Sequence, residues 1–533
     1  MRGNSIARLL VLALCAVLML SACQNTPSAA TQPTAAPETP AAASPTTAPE
    51  PTPEPPFALS MMAPFYAQEP PKLEGNPALE AMEKAVNVDL DITWVPQGDF
   101  VQVFTTTMAS SDVPMTIAVT SGTTSNPNFI KFSQAGIFWD LTDYIQASEL
   151  FREELTTPTA LVSTAVNGRN YTFPYIAVSG RVGMLYRKDW AERLKIPAPV
   201  TVQDFYNMAK AFTEQDPDGN GKKDTYGLAY IDDADKEVQY AGFETVAVGL
   251  GAPNRWGVVN GKVTPYFETP EYMAALDLFK DMYNNGYMNK DFFQIKGNDK
   301  YNPILTSQAG IMFTSATNSR YPGGKYDALT DADPNVRMAY TLLFTTPAGK
   351  KVTNSVINFG GLGGMVIPKR SVADEAVVKR IFKFLEDAHT GDNGKIIHLG
   401  IKDLHYTVEA DGKISQSAEQ KKLRDTDGSL NVFGYTLPRP LLAPDYGQKR
   451  SENDEITAEC IANEEFVVRD VSIGLLSPES ITTAAGIATV ISDARVQYIT
   501  GQLDAAGFKA AVDNWKSQGG QAVIDEINAN YKP

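Results

Sequence analysis

Phe57-Ala58-Leu59-Ser60-Met61-Met62, then Asp89-Leu90-Asp91-Ile92-Thr93-Trp94-Val95, then Met115-Thr116-Ile117-Ala118-Val119 is the run from which the fold follows. The first segment is short, apolar and bounded by prolines, which reads as a strand. The second alternates polar and apolar residues, the two-residue period of a strand with one face covered. The third is apolar and β-branched in character. Helical sequence fills both gaps. Asn76-Pro77 opens the first helix with proline in its first turn, and Leu79, Met82 and Val86 fall on one face. Residues 100–108 supply the second helix. Strand, helix, strand, helix, strand is the order of a parallel sheet in an α/β body.

Further strands are expected at 182–186, 311–313, 338–344 and 365–367. The clearest helix begins at Thr201, where Thr201 and Asp204 have the spacing of a capping box. Its buried stripe is Val202, Phe205, Met208, Ala209 and Phe212. A second strong helix covers 270–285, with Thr269 placed to cap it and Gly286 to end it. Residues 374–387 form another. The tail from about 487 to 531 is mostly helical, with Phe508, Val512 and Trp515 on one side. No internal repeat of fixed period is present.

Upstream the character changes. Residues 24–56 are almost entirely Pro, Ala, Thr, Ser and Glu, which cannot bury enough surface to fold and favours an extended tether. Before it, Arg2 and Arg8 precede a short apolar run over 9–20, closed by Leu20-Ser21-Ala22-Cys23. That is the layout of an export signal, and too short a run to span a bilayer comfortably. Cys directly after Leu-Ser-Ala looks like a bacterial lipobox. The expectation is a signal peptide over 1–22 and a lipid carried by Cys23, holding the body outside the cell membrane.

The chain has 533 residues, enough for two or three units with sizeable cores, and 43% of them are hydrophobic. Its formal net charge of −16 argues against nucleic acid and anionic lipid as partners. The cysteines are Cys15, Cys23 and Cys460. With Cys15 in the signal and Cys23 lipidated, no disulfide forms within the mature chain.

Asp216-Pro217-Asp218-Gly219-Asn220-Gly221-Lys222-Lys223-Asp224 is the most specific internal motif. Oxygen-bearing side chains at positions 1, 3, 5 and 9, with Gly at 6, match the first part of an EF-hand loop. Asp216, Asp218, Asn220, Asp224 and the Lys222 carbonyl would converge on one hard cation, Ca²⁺. The bidentate Glu of position 12 is absent, because Gly227 stands there, and position 10 is Thr225. Such an ion would fix a loop rather than perform chemistry.

Catalytic signatures are few. The three histidines, His389, His398 and His405, have no zinc-type spacing, and no nucleophile elbow or phosphate-loop Lys is present. The run Gly360-Gly361-Leu362-Gly363-Gly364 reads as a tight turn beside a strand. A pair of carboxylates for glycan cleavage would be spatial and is left open by the sequence. Several aromatics lie outside periodic stripes, beside turn residues: Phe65, Tyr66, Tyr175, Trp256, Tyr266 and Phe359. Flat apolar rings on loops suit the faces of sugar rings. They are candidate ligand residues, with core packing as the alternative for each.

In order and spacing, several blocks resemble the extracellular solute-binding lipoproteins of ABC importers, family 1, oligosaccharide-binding type. They are Ala109-Ser110-Ser111-Asp112-Val113-Pro114, Leu141-Thr142-Asp143-Tyr144-Ile145, Tyr171-Thr172-Phe173-Pro174, Tyr186-Arg187-Lys188-Asp189-Trp190 and Pro199-Val200-Thr201-Val202-Gln203-Asp204-Phe205. The 216–224 loop, residues 400–406 and Tyr498-Ile499-Thr500-Gly501 continue the likeness. The resemblance implies a two-lobe α/β fold of the type 2 periplasmic-binding-protein class, with lobes joined by crossover strands and extra C-terminal helices. It would place lobe one at 57–175 and 344–378, and lobe two at 176–343 and 379–533. It implies a monomer that closes on an oligosaccharide or related solute and hands it to importer permease subunits, with no bond made or broken. A glycan-cleaving surface enzyme, or a sensor or adhesion protein reusing the fold, are the alternatives. The relatives of this kind carry Ca²⁺ at the matching loop, commonly with an acidic residue where Thr225 stands.

Overall fold

The computed structural model describes residues 54–532 apart from 66–68, 125, 155–160, 162–163, 177–178, 233–241, 296, 317–325, 355–360, 411, 413, 416, 424–429 and 438–457. The expected signal, Cys23, nearly all of the tether, Tyr66 and Phe359 therefore lie outside the described residues.

The helices used below are, in chain order, α1 (Pro77–Val86), α2 (Phe100–Ala109), α3 (Pro127–Gln134), α4 (Val202–Glu214), α5 (Phe243–Leu250), α6 (Pro270–Asn285), α7 (Glu375–His389), α8 (Gly391–Leu399), α9 (Asn431–Thr436), α10 (Pro478–Ile499), α11 (Ala505–Trp515) and α12 (Gln521–Asn530). The strands are β1 (Phe57–Phe65), β2 (Val88–Pro96), β3 (Thr116–Thr120), β4 (Phe173–Ile176), β5 (Val182–Arg187), β6 (Tyr226–Ala229), β7 (Trp256–Val259), β8 (Lys262–Pro265), β9 (Ala309–Ser315), β10 (Met338–Thr341), β11 (Lys351–Asn354), β12 (Gly361–Val366) and β13 (Val467–Val468).

Two sheets organise the chain. The first has the order β2-β1-β3-β12-β4, with β1 parallel to β2 and β3, and β12 antiparallel to both β3 and β4. The alternation read in the sequence of β2 is physical over its first half, where Val88, Leu90 and Ile92 are buried with exposed residues between, and it changes phase at half-buried Trp94 and buried Val95. β3 is buried along its whole length, as a central strand covered on both faces must be. The second sheet has the order β10-β5-β9-β6, with β5 antiparallel to both neighbours and β9 parallel to β6. The chain crosses from the first sheet to the second between β4 and β5, and returns between β11 and β12.

Local sequence explains the best-formed helices. α4 carries a complete capping box: Thr201 Oγ1 accepts from the Asp204 N–H at 3.1 Å, and Asp204 accepts from the Thr201 N–H at 3.0 Å. Its stripe of Val202, Phe205, Met208, Ala209 and Phe212 is buried in the core of the second sheet. Burying each large member of that stripe is worth about 1.5–3 kcal/mol. α6 is capped by Thr269 and ended by Gly286 in the left-handed conformation. Asp374 caps α7 by accepting from the Ala376 N–H at 2.8 Å. The expected helical tail divides into α10, α11 and α12, and begins earlier than expected, at Pro478.

The packing of two segments differs from the expected lobe boundaries. Residue 378 falls inside α7, and Val378, Ile381, Phe382 and Leu385 make one continuous apolar stripe against the first sheet. One helix with one buried face cannot be divided between two cores. Ile397 of α8, with Val432 and Phe433 of α9, joins the same core. Conversely Phe344 packs into the core of the second sheet.

The glycine run also differs from expectation. Gly361–Val366 is strand β12 itself, with a shift of register between Gly361 and Gly364. A Cβ on Gly363, which has φ +120°, would stand 2.0 Å from the Val119 carbonyl oxygen. The glycines therefore serve close approach of neighbouring strands rather than a turn. Cys460 is fully buried beside Ala316 and Leu342. No described helix is long and apolar enough to cross a membrane.

Candidate functional site

In open α/β sheets, ligands bind outside the carboxyl ends of strands, where the order of strands reverses. In the first sheet that point lies between β1 and β3, because β2 and β3 follow β1 on opposite sides. β1 ends there at half-buried Phe65. β3 ends at Thr120, whose hydroxyl is 3.1 Å from that of Thr123 and accepts from the Thr123 N–H.

At the carboxyl end of β6 the chain continues through Tyr230 and Ile231 to Asp232. Asp232 is nearly inaccessible, and its carboxylate takes two hydrogen bonds from Arg495 of α10, at 2.7 and 2.6 Å. Arg495 also donates to Glu244 in the first turn of α5 at 3.2 Å, and its guanidinium lies 5.0 Å from the centre of the Phe243 ring. Tyr230 donates its hydroxyl to Asp232 at 2.9 Å. Burial, and then the Asp232 charge beside it, hold the Tyr230 hydroxyl well above the ordinary tyrosine range. This network anchors α10, the first of the three C-terminal helices, to the edge of the second sheet. The sequence reading missed it, because no local pattern links Asp232 to Arg495.

Next to Glu244, Thr245 Oγ1 accepts from Asn354 Nδ2 at 3.2 Å. Asn354 is the last residue of β11 before the chain returns to the first sheet.

The proposed ligand aromatics fall into separate places. Tyr175 packs against the core of the first sheet and donates its hydroxyl to the Thr436 carbonyl at 2.8 Å. Burial pushes that hydroxyl far up in pKa. Trp256 and Tyr266 come together at one end of the β7–β8 hairpin, where Pro265 pairs with Trp256. Both are half-buried and surrounded by other rings. Trp256 lies 6.5 Å from Trp515, and Tyr266 lies 4.7 Å from Tyr272. His405, fully buried, accepts from the Ile401 N–H at 2.8 Å through Nδ1.

The acidic loop has much of the expected geometry. Gly219 and Gly221 both hold positive φ, +74° and +76°, which gives the sharp double turn. Asp216 accepts from the Asn220 and Gly221 N–H groups, both at 3.0 Å. Asn220 Nδ2 donates to Asp218 at 2.8 Å and to both Asp224 oxygens at 3.2 Å, while its Oδ1 accepts from the Lys222 N–H at 2.7 Å. The positive edge of one amide thus stands among these carboxylates. Asp218 is raised in pKa by burial first, and also by the charges of Asp224 and Asp216. A hard cation would relieve that repulsion, so the donor chemistry fits one. Thr225 instead turns its hydroxyl to the Phe212 carbonyl at 2.9 Å. Among the described residues, no group of three or more His, Cys, Asp or Glu side chains stands in metal-holding geometry.

Comparison with known proteins places this architecture. The chain matches the family model for bacterial extracellular solute-binding proteins over residues 68–388. It is 30% identical over 486 residues to Lipoprotein LipO of Bacillus subtilis, covering 89% of this chain and 92% of that protein. It is 29% identical over 493 residues to the polygalacturonan/rhamnogalacturonan-binding protein YtcQ of the same organism, covering 90% and 92%. An EF-hand mutant of the substrate-binding protein FusA of S. pneumoniae, solved in complex with fructo-nystose, superposes with a TM-score of 0.63 at 17% identity. That alignment covers 89% of this chain and 98% of FusA, and it shares the two-lobe fold. The chain belongs to the family of bacterial extracellular solute-binding proteins.

Proposed function

We propose that this protein captures an oligosaccharide outside the cytoplasm and delivers it, unaltered, to the permease subunits of an ABC importer. The observation that carries the reading is the pairing of family membership with two sheets joined by crossings of the chain. A solute held between the lobes would contact both at once, so binding favours the closed form. The names of YtcQ and FusA point to glycans as the class of solute. Of the aromatics suggested by sequence, Phe65 is the best placed, at the carboxyl end of β1. Trp256, Tyr175 and Tyr266 serve packing first. No bond of the sugar is broken, and the protein acts as a monomer.

The export signal over 1–22, lipid on Cys23 and tether over 23–56 would hold the body at the outer face of the cell membrane. The 216–224 loop would take one structural Ca²⁺. Asp216, Asp218 and Asp224 supply carboxylates, Asn220 its carbonyl oxygen once the amide turns over, and Lys222 its main-chain carbonyl. The ion would stiffen the connection between α4 and β6. The EF-hand noted for FusA supports this assignment.

The test is calorimetry against kestose, oligogalacturonides and mannose-containing N-glycans, with product analysis of the same samples. Saturable binding with intact sugar is expected. Released fragments would overturn the reading in favour of an enzyme.

A further inference from the structure

The 216–224 loop gathers Asp216, Asp218 and Asp224 around Asn220, which hydrogen-bonds to each of them. One positive charge reaches this cluster from elsewhere in the chain. Arg193 ends the short helix Lys188–Arg193 that follows β5. A Cβ on Gly219 would stand 3.1 Å from the Arg193 Cζ, and closer still to its Nη1. The guanidinium therefore lies against the bare Cα of Gly219, in space that any larger residue would occupy. Gly219 separates Asp218 from Asn220, so the charge sits at the middle of the loop.

This guanidinium is not committed elsewhere. The acids nearest to it in sequence have other partners: Asp189 pairs with Arg187, and Glu192 with Arg337. Among the described residues, no carboxylate forms an ion pair with Arg193. Lys222 and Lys223 carry charge in the loop itself, and both are exposed. Arginine does not give up its proton in a protein, so the charge beside Gly219 is constant across the working range of pH.

A fixed cation at this place acts in two directions. With no ion bound, it offsets part of the repulsion among three carboxylates. A divalent cation arriving at the loop meets a like charge, and that repulsion weakens its binding. We infer that Arg193 is a built-in counter-charge to the acidic loop, steadying it without an ion and lowering its affinity for Ca²⁺. Gly219 is the cradle that admits the guanidinium. This rests on the calcium reading above, and it adds a residue from outside the loop that sets the strength of the site.

The experiment titrates the whole exported chain with Ca²⁺ by calorimetry, at about 0.02 M and about 0.5 M KCl, where screening is weak and strong in turn. Wild type is compared with Arg193→Gln and the charge-keeping Arg193→Lys. Removing the charge should tighten Ca²⁺ binding by roughly two- to fivefold at low salt, as expected of a single charge acting on a double one through water within a Debye length. The gap should close at high salt, and Arg193→Lys should stay near wild type at both. With chelator present at low salt, Arg193→Gln should melt below wild type by roughly 1 °C. Equal Ca²⁺ affinity in wild type and Arg193→Gln at low salt would overturn the inference and leave the calcium reading standing. A gap that persists at high salt would also overturn it, by tracing the effect to packing instead of charge. Wild type that takes up no Ca²⁺ would overturn the calcium reading itself, and equal melts with chelator would then dispose of the counter-charge as well.

Discussion

Replacing Arg495 by methionine tests how α10 is held. The side chains of Asp232 and Arg495 are 1% and 9% exposed, and they meet through two hydrogen bonds. Removing the guanidinium leaves the Asp232 carboxylate inside the protein with the Tyr230 hydroxyl still donating to it. Glu244, whose side chain is 18% exposed, loses the same partner but keeps some access to water. Breaking a buried pair by removing one member costs about 3–5 kcal/mol, mostly the penalty of the charge left behind. At about 2 °C per kcal/mol for a lobe of this size, the melting temperature should fall by roughly 6–10 °C. The double variant Asp232→Leu with Arg495→Met removes the stranded charge and should recover most of that loss, since an apolar replacement of a buried pair is often nearly neutral. Calorimetric or fluorescence melts of wild type, both single variants and the double variant give the coupling directly. If Arg495→Met costs less than about 1 kcal/mol, or the double variant is as unstable as the single, the network is not what anchors α10.

Four further outcomes follow from the geometry. Thr201→Ala removes the hydroxyl of the α4 capping box and should cost about 1 kcal/mol in denaturant unfolding. At the same box, burial pushes Asp204 up, but hydrogen bonds from Thr201 and the Val200 and Thr201 N–H groups outweigh it and hold the carboxyl below its ordinary value. Its contribution is therefore complete above the ordinary aspartate pKa and lost as pH falls through the lowered one, so Asp204→Asn should flatten part of the acid limb of a stability profile. If the 216–224 loop binds Ca²⁺, chelation should lower the melting temperature of wild type, by about 2.7 kcal/mol of stability when free Ca²⁺ is at 100 times its Kd. The variant carrying Asp216→Ala and Asp218→Ala should melt alike with and without chelator; an equal response to chelator in both proteins would remove the ion from the loop. Gly363→Ala should cost more than about 2 kcal/mol, measured by urea unfolding, because the added carbon meets the Val119 and Thr120 backbone at a φ that alanine rarely adopts.

What the sequence disclosed was whatever depends on neighbours along the chain. The alternation of β2, the cap at Thr201, the cap and stop of α6 and the turn chemistry of the acidic loop are all set within about four residues, and each stands in the structure. The glycine run was misread because its cause is not local: Gly363 is small on account of Val119, far away in sequence. The aromatics show the same limit. Trp256 reads as loop-borne, and only the fold sets Trp515, far along the chain, beside it. Asp232 and Arg495 are separated by 263 positions, and nothing in either neighbourhood announces the other. The placement of α7 has a related cause: its periodicity marks a buried face without saying which sheet it faces.

Cys460 is the sole cysteine among the described residues, and it is sealed from solvent. Thiol chemistry on the native body therefore starts from a silent background. α3 of the first lobe lies against α10 of the second, so a dye introduced through a new surface cysteine on each would sit across the line along which the lobes part. Fluorescence transfer between two such dyes would follow single molecules as they open and shut, with Cys460 shielded from the dyes.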